Sequence, residues 1–259
     1  MNLNLLEEKV NNAPELDFGD IFNESIALFK KVWVQGFVMN LLTTIIIMLF
    51  IFIMYLPFMS FAFLNPEVFS GDKTPPVWIF LILIIYLIMM FLVFVVNLLM
   101  QASFYRICKH QDLGLSVRDN YFYYFKKVYI IKAFKLALIS IGIFVISFLL
   151  CGFPFLYAIV PLYLIPLFFA FNLELTSKEI VKMSFKLGTK KWLITFAVTM
   201  IAAIAAQFVG MMLCFVGVFI TMSFAFIPQY FIYKKTIGFE EAQNEKFLEN
   251  NAEENIFLK

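Results

Sequence analysis

Four long stretches without any Asp, Glu, Lys or Arg constrain this chain more than any other feature. They cover residues 32–66, 74–105, 136–173 and 192–233, and each holds between 32 and 42 residues. A helix needs about 20 apolar residues to cross the roughly 30 Å hydrocarbon core of a bilayer. Every stretch is therefore long enough to span a membrane once, and the last two are long enough to span it twice.

The composition excludes several classes of protein. Of the 259 residues, 63% are hydrophobic and only 15% are charged. A soluble fold of this size could not cover so much apolar surface with polar groups, and a disordered chain would carry far less of it. The formal net charge is only +2 and no basic domain stands apart, so we expect no nucleic acid among the partners.

Turn signals predict where these stretches divide into helices. A loop over 64–76 separates the first two stretches, and turns at 151–154 and 210–217 divide the last two. We therefore expect an all-α polytopic membrane protein with six transmembrane helices. The first two helices are longer than a bilayer requires, so we expect them to tilt or to project from it. The six predicted spans lie near 34–63, 77–106, 131–150, 154–174, 192–212 and 215–234.

The basic residues predict the orientation of the chain. Of its 20 Lys and Arg residues, only Lys73 falls on the side of the 64–76 loop and the two tight turns. The positive-inside rule then places both termini in the cytoplasm, and we expect the protein in the bacterial inner membrane. We expect a polar N-terminal segment at 1–16 with no cleavable signal peptide, a single six-span domain at 17–237 and an acidic cytoplasmic tail at 238–259.

The sequence also predicts an internal threefold repeat. Segments 21–37 and 180–196 match at a constant offset of 159, and 117–129 matches the first segment at an offset of 96. The pattern predicts three hairpin units, about 17–106, 113–175 and 176–235, each preceded by an amphipathic interfacial helix. The matches between the first and third copies are Ile21 with Ile180, Ser25 with Ser184, Leu28 with Leu187, Lys31 with Lys190, Trp33 with Trp192 and Phe37 with Phe196.

Each interfacial segment begins with an acidic cap and ends in two lysines. Asp17 with Asp20, and Thr176 with Glu179, have the spacing of a capping box. Such helices orient the hairpins that follow them, or they bind lipid headgroups or a partner protein, because cations at the interface attract anionic lipid. The candidate headgroup contacts are Lys30, Lys31, Lys126, Lys127, Lys190 and Lys191.

The interfacial segments also carry a family resemblance. Thr176–Leu187 followed by Lys190–Trp192, together with Phe18–Phe22 and Phe29–Lys31, resembles a pattern in a loose group of bacterial six-span membrane proteins. That group includes the membrane domain attached to glycerophosphodiester phosphodiesterases and related families of unknown function. The resemblance covers about 17–235 and implies the six-span fold and a lipid-related context. It carries over no catalytic residue, since a catalytic barrel would need about 250 further residues.

The motifs of membrane enzymes are missing from the sequence. The only histidine is His110, whereas iron-dependent membrane oxygenases need several. There is no H-E-x-x-H, G-x-S-x-G, Walker A or G-x-G-x-x-G pattern, and no Asp or Glu lies inside a predicted span. We therefore expect no enzyme activity, no cofactor and no metal. Cys151 and Cys214 flank the external turns, where they form a disulfide or are two small apolar residues at helix ends.

Uncharged polar side chains inside the spans are the remaining candidates for function. Amides in lipid pair between helices as structural contacts, or they line a path for a polar or amphiphilic substrate. We expect a non-enzymatic protein that handles lipid or another apolar molecule, or that scaffolds partner proteins in the membrane. A transporter for a small neutral solute is the alternative, and a membrane-embedded enzyme comes last. The candidate path residues are Asn40, Asn97, Gln101, Gln207 and Gln229.

Overall fold

The computed structural model describes residues 3–64, 76–150, 153–213 and 216–239, and these residues form helices and connecting turns with no strand. Cys151 and Cys214, for which the sequence leaves a disulfide or two unpaired cysteines open, lie outside the described residues, as do the loop around 65–75 and most of the tail. Two 3₁₀ segments cover Tyr123–Phe125 and Met222–Phe226. The α-helices are α1 Leu3–Asn11, α2 Phe18–Leu64, α3 Pro76–Leu113, α4 Lys127–Leu149, α5 Phe153–Phe171, α6 Ser177–Lys190, α7 Trp192–Met212, α8 Val216–Thr221 and α9 Ile227–Thr236.

Five of the described helices are long and apolar enough to cross a membrane, which indicates a multi-pass membrane protein. These candidate spans are Phe18–Leu56, Phe80–Leu113, Lys127–Leu149, Pro154–Phe171 and Trp192–Met212. The last turns of α3 and α5 meet the start of α4 at one end of the bundle, where Lys132 Nζ donates to the Leu173 carbonyl at 2.8 Å. We call it the basic end because Arg106, Lys109 and Lys132 lie there.

The last helical segment differs from the single span predicted over 215–234. It consists of α8, the 3₁₀ segment Met222–Phe226 and α9 in direct succession. Pro228 stands at the start of α9 and explains the break. A proline donates no backbone hydrogen bond and its ring clashes with the carbonyl four residues earlier, so the preceding turn tightens. The N–H of Ile227 accordingly donates to the carbonyl of Phe224, the three-residue spacing of a 3₁₀ helix.

Helix α2 contains the first predicted span and is continuous with the segment predicted to form a separate interfacial helix before it. Its 47 residues correspond to about 70 Å at 1.5 Å per residue, which exceeds the roughly 45 Å of a whole bilayer. A helix of this length tilts in the bilayer or extends beyond it. The interfacial helix predicted for the middle unit is also absent from the described structure, where a three-residue 3₁₀ turn at Tyr123–Phe125 takes its place.

The capping box predicted at Thr176 and Glu179 is confirmed at the start of α6. Thr176 accepts a hydrogen bond from the backbone N–H of Glu179, and the Glu179 side chain accepts one from the Thr176 backbone, which completes the capping box. The repeat-matched serines, Ser25 and Ser184, are both fully buried and donate to the carbonyl four residues earlier, at 2.7 and 2.9 Å. The two segments therefore share the same side-chain hydrogen bond at this position.

The N-terminal segment forms an additional helix, α1, that packs against α6. Leu6 and Val10 are fully buried, although the sequence analysis predicts only a polar segment here. The carboxylate of Glu7 accepts hydrogen bonds from Lys182 Nζ at 2.7 Å and Lys186 Nζ at 3.2 Å. These two hydrogen bonds lower the pKa of Glu7.

Helix α2 packs against the 3₁₀ segment through Gly36. A Cβ atom at this position would lie 2.6 Å from the Cβ of Ser223, closer than side chains approach one another. We expect Gly36→Ala to lower the free energy of unfolding in detergent by about 1–3 kcal/mol, because the extra methyl group overpacks the contact.

The matched control is Gly142→Ala in α4, where a Cβ would meet nothing within 4 Å. This change should leave the free energy of unfolding unchanged or raise it, since alanine has a higher helix propensity than glycine. Equal effects of the two substitutions on the thermal unfolding midpoint would contradict the packing shown at Gly36.

The docking of α1 should depend on pH. The pKa of Glu7 is lower in the folded protein, so its contribution is present above the ordinary pKa of about 4.3 and is lost as the pH falls below it. Hydrogen exchange of the α1 amides, corrected for the intrinsic rate, should show lower protection at acidic pH. Glu7→Gln should lower the protection at neutral pH, and Glu8→Gln, at an exposed neighbour, should not.

Candidate intramembrane binding site

A cavity of about 550 Å³ lies among α3, α5, α7 and the broken segment that ends in α9. We call it the intramembrane cavity. Its walls include Asn97 and Gln101 of α3, Gln207 of α7 and Gln229 of α9. Four of the five predicted path residues therefore line one cavity, although they come from three parts of the chain.

Local structure explains how these four amides meet. Asn97 and Gln101 are four residues apart on a helix and so lie on the same face of α3. Gln229 follows Pro228 in the first turn of α9, which sets its position relative to the 3₁₀ segment. Gln207 is exposed on the outside of the bundle, as are Met200 and Met222 on the same cavity wall. The cavity thus opens sideways between helices.

The fifth predicted path residue, Asn40, lies elsewhere and has a structural contact. Its Nδ2 donates to the backbone oxygen of Phe219 at 2.8 Å, which connects α2 to α8. Asn40 does not line the intramembrane cavity, which therefore brings together only the other four candidate path residues.

The hydrogen bonds inside the cavity leave polar atoms unpaired. The Tyr105 hydroxyl donates to Gln229 Oε1 at 2.6 Å, which fixes the amide and leaves Gln229 Nε2 buried without a partner. Thr199 Oγ1 is also buried and unpaired. A buried donor without a partner costs about 1–3 kcal/mol, so a ligand that accepts a hydrogen bond would remove this cost.

A second cavity of about 270 Å³ adjoins the first and shares four lining residues with it. Its own polar atom is Ser140 Oγ of α4, which is buried and unpaired. No charged side chain of the described residues lines either cavity. The two cavities therefore form an apolar space with a few uncharged hydrogen-bonding groups, as is usual for small-molecule sites. The shared residues are Asn97, Gln101, Ile159 and Tyr163.

The predicted headgroup lysines do not converge on one site. Lys30 and Lys31 are exposed on α2, and Lys126 and Lys127 are exposed at the start of α4. Lys190 and Lys191 instead donate to the backbone oxygens of Asn11 and Pro14, beside α1.

Sequence analysis missed Thr199, Ser140 and Tyr105 as members of these sites. A serine or threonine in a span usually donates to its own helix, as Thr43 does to the carbonyl of Met39, so its presence alone predicts no site. Burial without that bond is visible only in the structure.

Comparison with known proteins identifies no relatives: no protein family, no curated protein and no solved structure matches the chain.

Two threonines allow a direct test of the unpaired groups. Thr199→Val removes a hydroxyl that lacks a partner, so the unfolding free energy of ligand-free protein should stay equal or rise. Thr221→Val removes a hydroxyl that donates to the Ala206 carbonyl at 2.7 Å, and should cost about 0.5–1.5 kcal/mol. Destabilisation by Thr199→Val similar to that by Thr221→Val, measured by thermal unfolding in detergent, would show that Thr199 has a partner.

Proposed function

We propose that this protein is a non-enzymatic membrane protein that binds a lipid or another apolar molecule through an uncharged hydrogen-bonding group. The observation that carries the proposal is the buried Nε2 of Gln229, held without a partner in a cavity that opens sideways. An ester, ether, carbonyl or hydroxyl oxygen would accept its hydrogen bond.

The chemistry of the cavity selects the class of ligand. A charged group in this space would lose its hydration without gaining an opposite charge, which is strongly unfavourable. A neutral amphiphile places its polar group against the amides, and its apolar part extends between α7 and the 3₁₀ segment, where Met200 and Met222 lie. The resemblance of the interfacial segments to a lipid-related group of membrane domains supports the same class.

Native mass spectrometry of protein extracted with its own lipids tests this proposal. We expect a discrete bound molecule on the wild-type protein and at least about tenfold weaker retention in Gln229→Leu, since loss of a hydrogen bond and its geometry costs over 1 kcal/mol. Because Gln229→Leu also removes the partner of Tyr105, a second variant combines Gln101→Leu with Gln207→Leu.

The matched control is Asn40→Leu, which makes the same chemical change outside the cavity. Retention of the bound molecule should survive in this control. Equal retention in all variants, or the absence of any discrete ligand on the wild-type protein, would overturn the proposal.

A transporter for a small neutral solute is the second candidate. The shared wall of the two cavities favours it, because uncharged polar groups then continue from Ser140 to Gln229 across the bundle. Solute flux into reconstituted vesicles that the Gln101→Leu/Gln207→Leu variant abolishes would favour transport. Ligand retention without flux would favour binding alone.

We also propose six crossings, with both termini in the cytoplasm and three related units. The sixth crossing would be the succession of α8, the 3₁₀ segment and α9, whose rise is about 34 Å and matches the hydrocarbon core. The basic end would then face the cytoplasm, where the exposed Lys30, Lys31, Lys126 and Lys127 would contact anionic headgroups. Labelling of single cysteines from either side of sealed vesicles checks this orientation, and labelling of the basic end from outside the cell would exclude it.

A further inference from the structure

A separate cavity of about 370 Å³ lies at the basic end of the bundle and has a different chemistry. We call it the basic-end cavity. It lies beside the ends of α3 and α5, the 3₁₀ turn Tyr123–Phe125 and the end of α9. Tyr233 lines it, one helical turn beyond Gln229 of the intramembrane cavity. The function proposed above does not involve the basic-end cavity.

One face of α3 supplies the cavity with positive and hydrogen-donating groups. Arg106, Lys109 and His110 are spaced three and four residues apart, so they project from the same side of the helix. Lys109 and His110 are only 7% and 8% exposed. These two donors lie beside the Arg106 guanidinium, so this wall of the cavity offers hydrogen-bond donors and positive charge to an anionic ligand.

The orientation of Arg106 suits a phosphate group. Its guanidinium carbon lies 3.5 Å from the centroid of the Tyr123 ring, which places the planar group over the ring face. Stacking on an aromatic ring holds the guanidinium while its N–H groups point outward in its plane. Arginine donates two parallel hydrogen bonds to phosphate in this arrangement.

A buried acceptor completes the site. Asn172 is 3% exposed, and its Nδ2 donates to the Phe168 carbonyl at 3.2 Å and to the Tyr233 hydroxyl at 2.7 Å. These bonds fix the amide and leave Asn172 Oδ1 buried without a partner. An unpaired acceptor requires an N–H or O–H donor, and the carboxylate of Glu174 lines the same cavity.

We propose that the basic-end cavity binds a phosphate ester that carries a hydroxyl or ammonium donor beside the phosphate. The phosphate would lie against Arg106, Lys109 and His110, and the donor would lie against Asn172 Oδ1. The headgroup of a phospholipid and a soluble phosphate ester share this chemistry. A phosphate ester without an N–H or O–H donor would satisfy only half of the site.

A pair of matched lipids tests the two halves separately. Phosphatidylethanolamine and phosphatidylcholine carry the same net charge and the same phosphate, but only the first has N–H donors. The full chain, delipidated and exposed to equal amounts of the two lipids with identical acyl chains, should retain phosphatidylethanolamine at least about fivefold better in native mass spectrometry, because one charged hydrogen bond exceeds 1 kcal/mol.

Substitution of the basic face tests the phosphate half. Arg106→Gln should weaken retention of phosphatidylethanolamine about tenfold, since it removes a charge-assisted pair of hydrogen bonds. Arg118→Gln, the same substitution at an exposed arginine outside the cavity, should leave retention unchanged. Gln101→Leu/Gln207→Leu should also leave the lipid preference unchanged, so failure here is distinct from failure of the intramembrane proposal.

Soluble headgroups identify the source of the ligand. If millimolar phosphoethanolamine displaces the lipid and phosphocholine does not, the site binds a soluble phosphate ester; if neither displaces it, the site binds the lipid headgroup itself. Both results support the proposal. Equal retention of the two lipids by the wild-type protein together with no discrimination between the soluble headgroups would overturn it, whether or not the variants fold.

Discussion

The absence of a backbone N–H at Pro228 sets the geometry on which much of this structure depends. A proline inside a membrane helix is tolerated when the preceding turn and the neighbouring helices rearrange around it. Here Met222–Phe226, which end two residues before Pro228, adopt a 3₁₀ helix, and this brings Ser223 against Gly36 of α2 and Gln229 against Tyr105 of α3. A regular helix over the same residues would rotate its side chains differently, since a 3₁₀ turn takes three residues and an α-turn takes 3.6. The contact with α2 and the wall of the intramembrane cavity therefore have a common origin.

Buried tyrosines form a layer between the intramembrane cavity and the basic-end cavity. Tyr105, Tyr124 and Tyr233 are almost fully buried, and each hydroxyl has a polar partner. Tyr124 donates to the Ala170 carbonyl at 2.7 Å, and Tyr105 donates to Gln229. A tyrosine fills a core with its ring and still satisfies a polar group at its tip, which suits the region between an apolar span and a polar end. Because these bonds use one atom of each amide, they also leave Gln229 Nε2 and Asn172 Oδ1 unpaired.

The sequence predicts the helices of this protein better than their contacts. Uncharged stretches locate the long apolar helices, because a charged side chain is unfavourable in hydrocarbon whichever neighbours the helix has. The capping box at Thr176 is equally local, and it is confirmed in full. The amide positions are visible too, but Asn40 and Gln229 look alike in sequence. Only the packing shows that the first bonds a backbone carbonyl of α8 and the second lines a cavity.

Other features cannot be predicted from the sequence alone, because they depend on tertiary packing. Helix α1 has apolar residues at Leu3, Leu6 and Val10, a helical spacing that is easily overlooked in a short charged segment. Its stability comes from docking on α6, and isolated helices of nine residues are marginal in water. The basic face of α3 is similarly ambiguous, since an Arg, a Lys and a His after a span are typical of any membrane interface. Burial of Lys109 and the stacking of Arg106 on Tyr123 distinguish it from an ordinary interface.

The intramembrane cavity and the basic-end cavity contain different kinds of polar group, and they follow one another along the bundle. Uncharged amides lie where hydrocarbon surrounds the helices, and cations lie one helical turn beyond the tyrosine layer, where the charge-free stretches end. Each position matches what its surroundings tolerate: an amide needs only hydrogen-bond partners, whereas a guanidinium needs a counter-charge. The two proposed ligands differ accordingly: a neutral amphiphile for the intramembrane cavity and a phosphate ester for the basic-end cavity. The tyrosine layer between them keeps the two sets of partners apart, so a change in one cavity need not disturb binding in the other.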